Sequence, residues 1–483
     1  MKTKILFSNT YFYRFDKKQW ESKKPYPPYG TMLAAAIMRS TGYDVELFDA
    51  SLAKSPADIS DCLTKFQPDY LVIFDDNFNY LSKMCLTVMR EACFEMIRLG
   101  KKAGCKVAVN SADATDHFDK YVQVGADVVM LGEAEQTLQE LISQNFTKPD
   151  TINGIAFKDG EYIVTTPKRK PFNKLDSYPI PAWDLLSIGE YKQIWEKSQG
   201  YFSLNIATTR GCPFKCNWCA KPIYGNKYNS RSPKQVAEEL KLLVEKGASH
   251  FWVCDDIFGL KPGWVNEFKK HIQEIGLKIK LKIQSRADLL VKEDAIQDLV
   301  DAGLNEVWIG AESGSQKILD AMDKGITLNE IEVATQLLRN KGVKVAFFLQ
   351  YGYIGEQWED IQKTLTMVKK LLPDDIGISI SYPLPGTLFY DKVKSQLQSK
   401  QNWENSNDLA MMYKSTFSPR FYRQLYKYTH KVYRKEIAMN NVKNYSLLAA
   451  VKLPYLWLQE TISKNYILPY LSDKSLKKQQ SIN

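Results

Sequence analysis

Three cysteines, Cys212, Cys216 and Cys219, fall within eight positions of the stretch TTRGCPFKCNWCA, and the next cysteine is Cys254. Thiolates so spaced suit metal binding, because one short loop can aim all three sulfurs at a common point. A structural zinc site needs a fourth thiolate or imidazole. His250 or Cys254 could supply it only by folding back from the next strand. The other reading is a 4Fe-4S cluster with thiolates on three irons and the fourth iron left open. An open iron is useful where something small and electron-accepting must bind it.

Such a loop needs a rigid frame. At 483 residues the chain should hold two or three domains. Residues 1–150 alternate strand-like runs (KILFS, DVELFDA, DYLVIFDD, CKVAVNS, ADVVMLGE) with helix-like ones, the pattern of a doubly wound, Rossmann-like parallel sheet. Ligands of such sheets bind at the carboxyl ends of the strands. Those ends carry residues 8–10, 75–77, 111–113 and 132–133 here, so Asp76, Asn77, Ser111, Asp113, Gly132 and Glu133 are candidate ligand contacts. No G-x-G-x-x-G follows the first strand, which disfavours a dinucleotide. Residues 151–195 read as a linker with a hairpin turning at Asp159 and Gly160. A second alternating series of six strand-like runs fills 196–390 and predicts an open, partial (β/α)6 barrel with its chemistry at the strands' C-terminal ends. After the cysteines a helix is expected, with Ser232 as N-cap, Pro233 in the first turn and Gln235 completing a capping box. Residues 391–483 form a helical C-terminal region.

Charge is uneven. From 391 to 483, 16 Lys and Arg stand against 6 Asp and Glu, a net of +10 that is the whole of the chain's +10. Such a region attracts nucleic acid, anionic lipid or phosphorylated substrates. Cys62, Cys85, Cys93, Cys105 and Cys254 are scattered among apolar residues and read as small buried hydrophobes. No apolar run approaches the length of about eighteen residues needed to span a bilayer. The expected compartment is the cytoplasm, where thiols stay reduced.

The C-x3-C-x2-C spacing, with aromatic Trp218 before the last cysteine, resembles the signature of the radical S-adenosylmethionine (SAM) superfamily. The resemblance implies a 4Fe-4S cluster on Cys212, Cys216 and Cys219 whose open iron chelates SAM. Reductive cleavage of SAM to a 5′-deoxyadenosyl radical would follow. It also implies SAM contacts at Trp218, at Asp255 of the CDD ending the second strand, at Arg286 of SRAD, and at Glu312 and Ser313 of GAESGS. The fifth-strand segment YGYIGEQWEDIQKT is similar to Gly-x-Pro-Gly-Glu-Thr but lacks its Pro and Thr.

The N-terminal stretches YPPYGTMLAAAIMRSTGYDVELFDA and GADVVMLGEAEQTLQEL resemble the cobalamin-binding domain that precedes the radical domain in one subclass. The likeness covers about residues 1–390. The Asp-x-His-x-x-Gly cobalt-ligating motif is absent, and His117 in DATDHFD reads as a solvated helix-start residue. The implied activity is cobalamin-dependent C-methylation of an unactivated carbon. Radical cyclisation or rearrangement, an RNA-modifying enzyme without cobalamin, and a zinc-stapled binding module are the alternatives. The expected partners are a small-molecule or lipid-linked substrate and an electron donor such as flavodoxin or ferredoxin. Nucleic acid is disfavoured because no strand platform for stacking bases accompanies the basic helices. That basic region suits peripheral membrane contact. No side chain is assigned as catalytic acid, base or hydrogen donor, since radical abstraction needs positioning more than titration.

Overall fold

The computed structural model describes residues 2–78, 86–219, 223–397, 400, 402–406, 408–443 and 447–464. Cys85 and the tail from 465 onward lie outside the described residues. The first sheet has five parallel strands in the spatial order Asp44–Phe48, Lys4–Ser8, Tyr70–Phe74, Lys106–Asn110, Val128–Met130. The hairpin expected at Asp159 and Gly160 forms, and its strands Ile155–Asp159 and Tyr162–Thr165 extend this sheet antiparallel. The order reverses between the first and third strands in sequence, so a crevice opens beyond Ser8 and Phe74. Helix Tyr29–Ser40 is buried along almost its whole length. Gly30 permits its close approach: a Cβ there would meet the Asp75 carbonyl oxygen at 3.1 Å.

Six further strands are parallel and lie in one sheet in chain order: Ser203–Ile206, His250–Val253, Lys280–Ser285, Leu304–Glu312, Lys344–Tyr351 and Asp375–Ile380. The two end strands do not pair with each other, which leaves the barrel partial. Among the described residues the C-terminal region contains helices Pro419–Lys443 and Leu447–Ile462, preceded by an irregular stretch up to residue 418. Among the described residues no helix is long and apolar enough to cross a membrane.

The chain divides into two compact units. One comprises Met1–Pro213, Lys221–Ile283 and Asn402–Asp408; the other comprises Phe214–Ala220, Gln284–Gln401 and Leu409–Asn483. Within the first unit the N-terminal sheet and the first barrel strands share a core. Trp183 and Trp195 are fully buried; Trp195 Nε1 donates to the Pro25 carbonyl at 2.7 Å and Asn205 Nδ2 to the Pro27 carbonyl at 3.0 Å. At its centre Glu239, with no exposed surface, accepts from Arg231 Nη1 (2.6 Å), Tyr29 Oη (3.1 Å) and Trp183 Nε1 (3.2 Å).

Three local expectations are corrected. Ser232 Oγ caps helix Pro233–Glu245 by accepting from Gln235 N at 3.3 Å, but the Gln235 amide does not return to Ser232. It donates instead to the carbonyls of Asp176 and Tyr178, and Asp176 takes the Ser232 N–H at 2.8 Å. His117 starts helix Phe118–Val124, yet its side chain is mostly buried, with Nε2 4.0 Å from Asp113, and burial holds the imidazole pKa below its ordinary value. Cys93, Cys105 and Cys254 are buried as expected, whereas Cys62 is only half-buried.

Removing one member of a buried charged pair leaves the other unpaired, at a cost of about 3–5 kcal/mol. Glu239→Ala should lower the urea midpoint by the equivalent of that cost, and Glu239→Gln by less. A midpoint unchanged in Glu239→Ala would show that the Arg231 network does not hold this core.

Candidate functional site

Strand Ser203–Ile206 ends in the segment that leads to the cysteines. Asp255, buried at the end of the neighbouring strand, accepts from Thr208 N at 2.7 Å, Thr209 N at 3.0 Å and the Thr208 hydroxyl. Burial pushes its carboxyl pKa up to about 6, against the lowering effect of those hydrogen bonds. Thr209–Arg210 then pairs antiparallel with Asn229–Ser230 and closes a neck under the loop. Gly211 sits in that neck with φ +78°; a Cβ would come within 2.1 Å of the Lys227 carbonyl oxygen, so only glycine fits. Cys212 follows, buried, its N–H 3.4 Å from the Gly225 carbonyl.

In the second unit the Cys216–Cys219 turn is held by the residue between its cysteines. Asn217 Nδ2 donates to the Ala321 carbonyl (2.8 Å) and to Asp323 (2.7 Å), while its Oδ1 accepts from Tyr353 Oη (2.5 Å). Its backbone N–H donates to the Met322 carbonyl (3.0 Å) and its carbonyl accepts from Phe389 N (2.9 Å). Every polar group of Asn217 is thus engaged. Trp218 packs against Ile318, Met322, Tyr353, Phe389 and Tyr413, and its indole N–H is buried without an acceptor among the described residues. Cys216 and Cys219 are half-buried and form no disulfide.

Two cations stand beside this turn. Arg286 Nη1 lies 3.9 Å from the Cys216 sulfur, with its guanidinium 3.8 Å from the centroid of the Phe214 ring. Its N–H groups also reach Asp288 (2.9 and 3.2 Å), the Lys324 carbonyl (2.7 Å) and the Gly325 carbonyl (3.1 Å). Glu312, at φ +55°, pairs with Lys324 Nζ at 2.9 Å. Burial alone would lower the Lys324 pKa, but the charges of Glu312 and Cys216 outweigh it and hold the ammonium above its ordinary value. Ser313 is buried, its hydroxyl 3.2 Å from Thr364 Oγ1. Asp288, Lys324 and Tyr353 were not identified from the sequence. Lys324 and Tyr353 meet their partners 12 and 136 residues away, which no local pattern announces, whereas Asp288 lies two residues from Arg286 and could have been read as its partner.

At the rim of the first sheet, Asp76 accepts from Gly30 N at 3.1 Å and so anchors helix Tyr29–Ser40. Asn77 Nδ2 donates to Asn110 Oδ1 (2.8 Å), while the Asn77 amide oxygen, buried, meets no donor among the described residues. Ser111 Oγ caps a short helix through Ala114 N (2.9 Å), and Gly132 N donates to Thr115 Oγ1 (3.2 Å). Asp113 accepts two hydrogen bonds of 2.5 Å from Arg90 and one of 2.6 Å from Tyr121 Oη. Glu133 and Glu135 share the buried Arg210. A small cleft, with room for about 20 Å³, is lined by Tyr29, Phe78, Tyr178, Thr209, Arg210 and Arg231 among others. The Tyr178 hydroxyl in this cleft, and one oxygen of Glu135 on the far side of Arg210's ion pair, are buried without hydrogen-bond partners among the described residues. A polar ligand could satisfy such groups, since leaving them unpaired is costly.

Neither alternative zinc ligand is uncommitted. His250 Nδ1 lies 2.9 Å from Ser203 Oγ, and the Cys254 thiol donates to the Ile206 carbonyl at 3.0 Å. Among the described residues no three His, Cys, Asp or Glu side chains are grouped to hold a metal ion. Cys212, Cys216 and Cys219 form no disulfide, and the Arg286 guanidinium stands beside the Cys216 sulfur.

Asn217→Ala removes three side-chain hydrogen bonds of about 1 kcal/mol each. Hydrogen exchange at amides 216–219 should then quicken by at least about tenfold, with a smaller effect for Tyr353→Phe. Unchanged exchange would mean that Asn217 does not hold the turn. Asp255 carries the opposite pH signature from a salt-bridged acid. Its folded-state pKa is raised, so its contribution to stability is present at low pH and is lost as pH rises through about 6. Between about pH 4 and pH 7 the wild-type urea midpoint should fall relative to that of Asp255→Asn. Parallel pH profiles would contradict the assignment.

Residues 206–368 match the family model described as the Radical SAM superfamily. An uncharacterized methyltransferase of Pyrococcus horikoshii is 27% identical over 388 residues, 78% of this chain and 81% of that protein. The radical S-adenosylmethionine methyltransferase TsrM from Kitasatospora setae, solved with cobalamin and an iron–sulfur cluster, superposes with a TM-score of 0.67 at 17% identity, over 82% of this chain and 75% of its own. The cobalamin-dependent S-adenosylmethionine radical enzyme OxsB gives 0.73 at 16% identity, over 96% of this chain and 72% of its own. These two likenesses concern the fold. The chain therefore carries a radical SAM domain over residues 206–368 and shares the fold of these cobalamin-dependent radical SAM proteins.

Proposed function

We propose that the enzyme binds a 4Fe-4S cluster through Cys212, Cys216 and Cys219, cleaves SAM reductively, and methylates a carbon of a small-molecule substrate with cobalamin as methyl carrier. The observation that carries this reading is the cysteine turn itself, fixed through Asn217 while its thiols stay outside any disulfide. When bound, the cluster supplies the electron that splits the sulfonium, and cobalamin the means to pass on a methyl group.

The chain's own residues would orient and exclude water. Arg286, beside the Cys216 sulfur and locked by Asp288, offsets thiolate charge without moving. All of its donors are engaged, so it reaches the SAM carboxylate only by exchanging one of these partners. Glu312 would present one carboxylate oxygen to the SAM amino or ribose groups while Lys324 holds the other. Trp218 offers its indole N–H. Asp255 and Ser313 support the loops rather than the ligand. For cobalamin, the Asn77 amide oxygen and the Gly132 turn are the proposed direct contacts. Asp76 and Ser111 hold the rim, and Asp113 and Glu133 hold Arg90 and Arg210. A reducing compartment such as the cytoplasm, with flavodoxin or ferredoxin as electron donor, fits oxygen-sensitive thiolate chemistry.

Radical cyclisation or rearrangement is the second reading, since the radical enzyme OxsB shares this fold. Anaerobic protein reconstituted with iron, sulfide and hydroxocobalamin should release both 5′-deoxyadenosine and S-adenosylhomocysteine when substrate is present. Deoxyadenosine without S-adenosylhomocysteine would favour the second reading. Cys216→Ala should lose iron and SAM cleavage together; retained cleavage would contradict the ligand set.

A further inference from the structure

The two C-terminal helices carry a surface that the proposed chemistry does not use. Helix Pro419–Lys443 buries Phe421, Tyr422, Leu425, Tyr428 and Val432. Arg420, Arg423, Lys427 and Arg434 are exposed on it. Their spacings of three, four and seven residues keep them in one stripe along a helix, turned away from the buried side. The helix has a single acidic residue, Glu436, and Lys435 neutralises it at 3.2 Å.

Helix Leu447–Ile462 is tied alongside: Lys435 pairs with Glu460 at 2.6 Å, and Lys431 Nζ donates to Ser463 Oγ at 3.0 Å. Glu460 and Ser463 are buried, but Tyr455, Trp457, Leu458 and Ile462 are 64, 58, 59 and 43% exposed. Four large apolar side chains left in water within eight positions, with Lys452 and Lys464 exposed at the flanks, are not ordinary surface scatter. Rings at an interface flanked by lysines are the pattern of a helix that lies in the plane of a bilayer.

We propose that this helix pair docks on an anionic lipid bilayer. The basic stripe draws the enzyme to headgroup phosphates, and Tyr455, Trp457, Leu458 and Ile462 enter the interfacial layer. Electrostatic complementarity supports this occupant, since the region from 391 onward carries the chain's entire net charge. A polyanion in water, such as RNA, engages the stripe but leaves the apolar side chains wet; a bilayer accounts for both. The inference is independent of the reaction proposed above, and its test does not use turnover.

The test is co-sedimentation of the full-length protein with vesicles of phosphatidylcholine alone or mixed with phosphatidylglycerol, at low and raised salt. Binding is expected only to the mixed vesicles and should weaken as salt rises. Substituting Arg420, Arg423, Lys427 and Arg434 together by Gln should weaken it by at least about tenfold. Trp457→Ser with Leu458→Ser should weaken it while leaving the salt dependence. Both variants alter exposed side chains, and an unchanged thermal melt would confirm that they fold. No preference for anionic vesicles, or binding unaffected by both variants, overturns the proposal. So would mixed-sequence single-stranded RNA, measured at the same salt, binding more tightly than the vesicles through the same stripe.

Discussion

Thiols that must stay available to a metal cannot also hold in place the loop that carries them. Under the proposed ligand set, that constraint falls on the loop of Cys212, Cys216 and Cys219. A disulfide or a buried thiol hydrogen bond would fix the loop and consume its ligands, so the fixing falls to other groups. At the base of the loop, one buried carboxylate gathers two backbone N–H groups and a hydroxyl, and a two-strand neck closes behind them. At the turn between the last two cysteines, a single asparagine spends its whole hydrogen-bonding capacity on one helix end, a strand-end tyrosine and a second helix start. Neither device uses a cysteine sulfur.

Buried charge is handled in a similar way. Arg90 with Asp113, Arg210 with Glu133 and Glu135, Arg231 with Glu239, and Lys324 with Glu312 are all nearly or fully buried pairs. Such pairs contribute little net stability, because desolvation consumes most of the Coulomb gain. Their value is positional: a buried guanidinium gripped by two oxygens has one orientation. Arg210 joins the neck of the cysteine loop to the last strand-end loop of the first sheet. Its guanidinium also lies over Phe78, Tyr178 and Tyr224, with centroids 5.1–5.6 Å away. The cleft beside it is therefore lined by groups that cannot easily rearrange.

The strands were legible because strand signals are local. All eleven parallel strands coincide with apolar runs visible in the sequence, and the cysteine spacing marks the loop. What each polar residue does was less legible, because the answer depends on partners far away in the chain. Asp255 looks like a cofactor contact in CDD until Thr208 and Thr209 are seen 47 and 46 residues away. Arg286 looks like an open carboxylate binder until the Lys324 and Gly325 carbonyls, 38 and 39 residues away, are found on its donors beside the neighbouring Asp288. Gln235 offered a capping box, but the linker carbonyls at Asp176 and Tyr178 compete for its amide and win. His117 read as solvated because no sequence pattern reveals the fold that covers it.

The central claim is that this held loop presents three thiolates to a cluster whose remaining iron receives SAM. Electron paramagnetic resonance of anaerobically reconstituted, reduced protein tests it most directly, alongside iron and sulfide content. The account predicts about four iron and four sulfide per chain and a reduced-cluster signal whose g-values shift when SAM is added. A protein that holds a single zinc without sulfide, or a cluster signal indifferent to SAM, would contradict it.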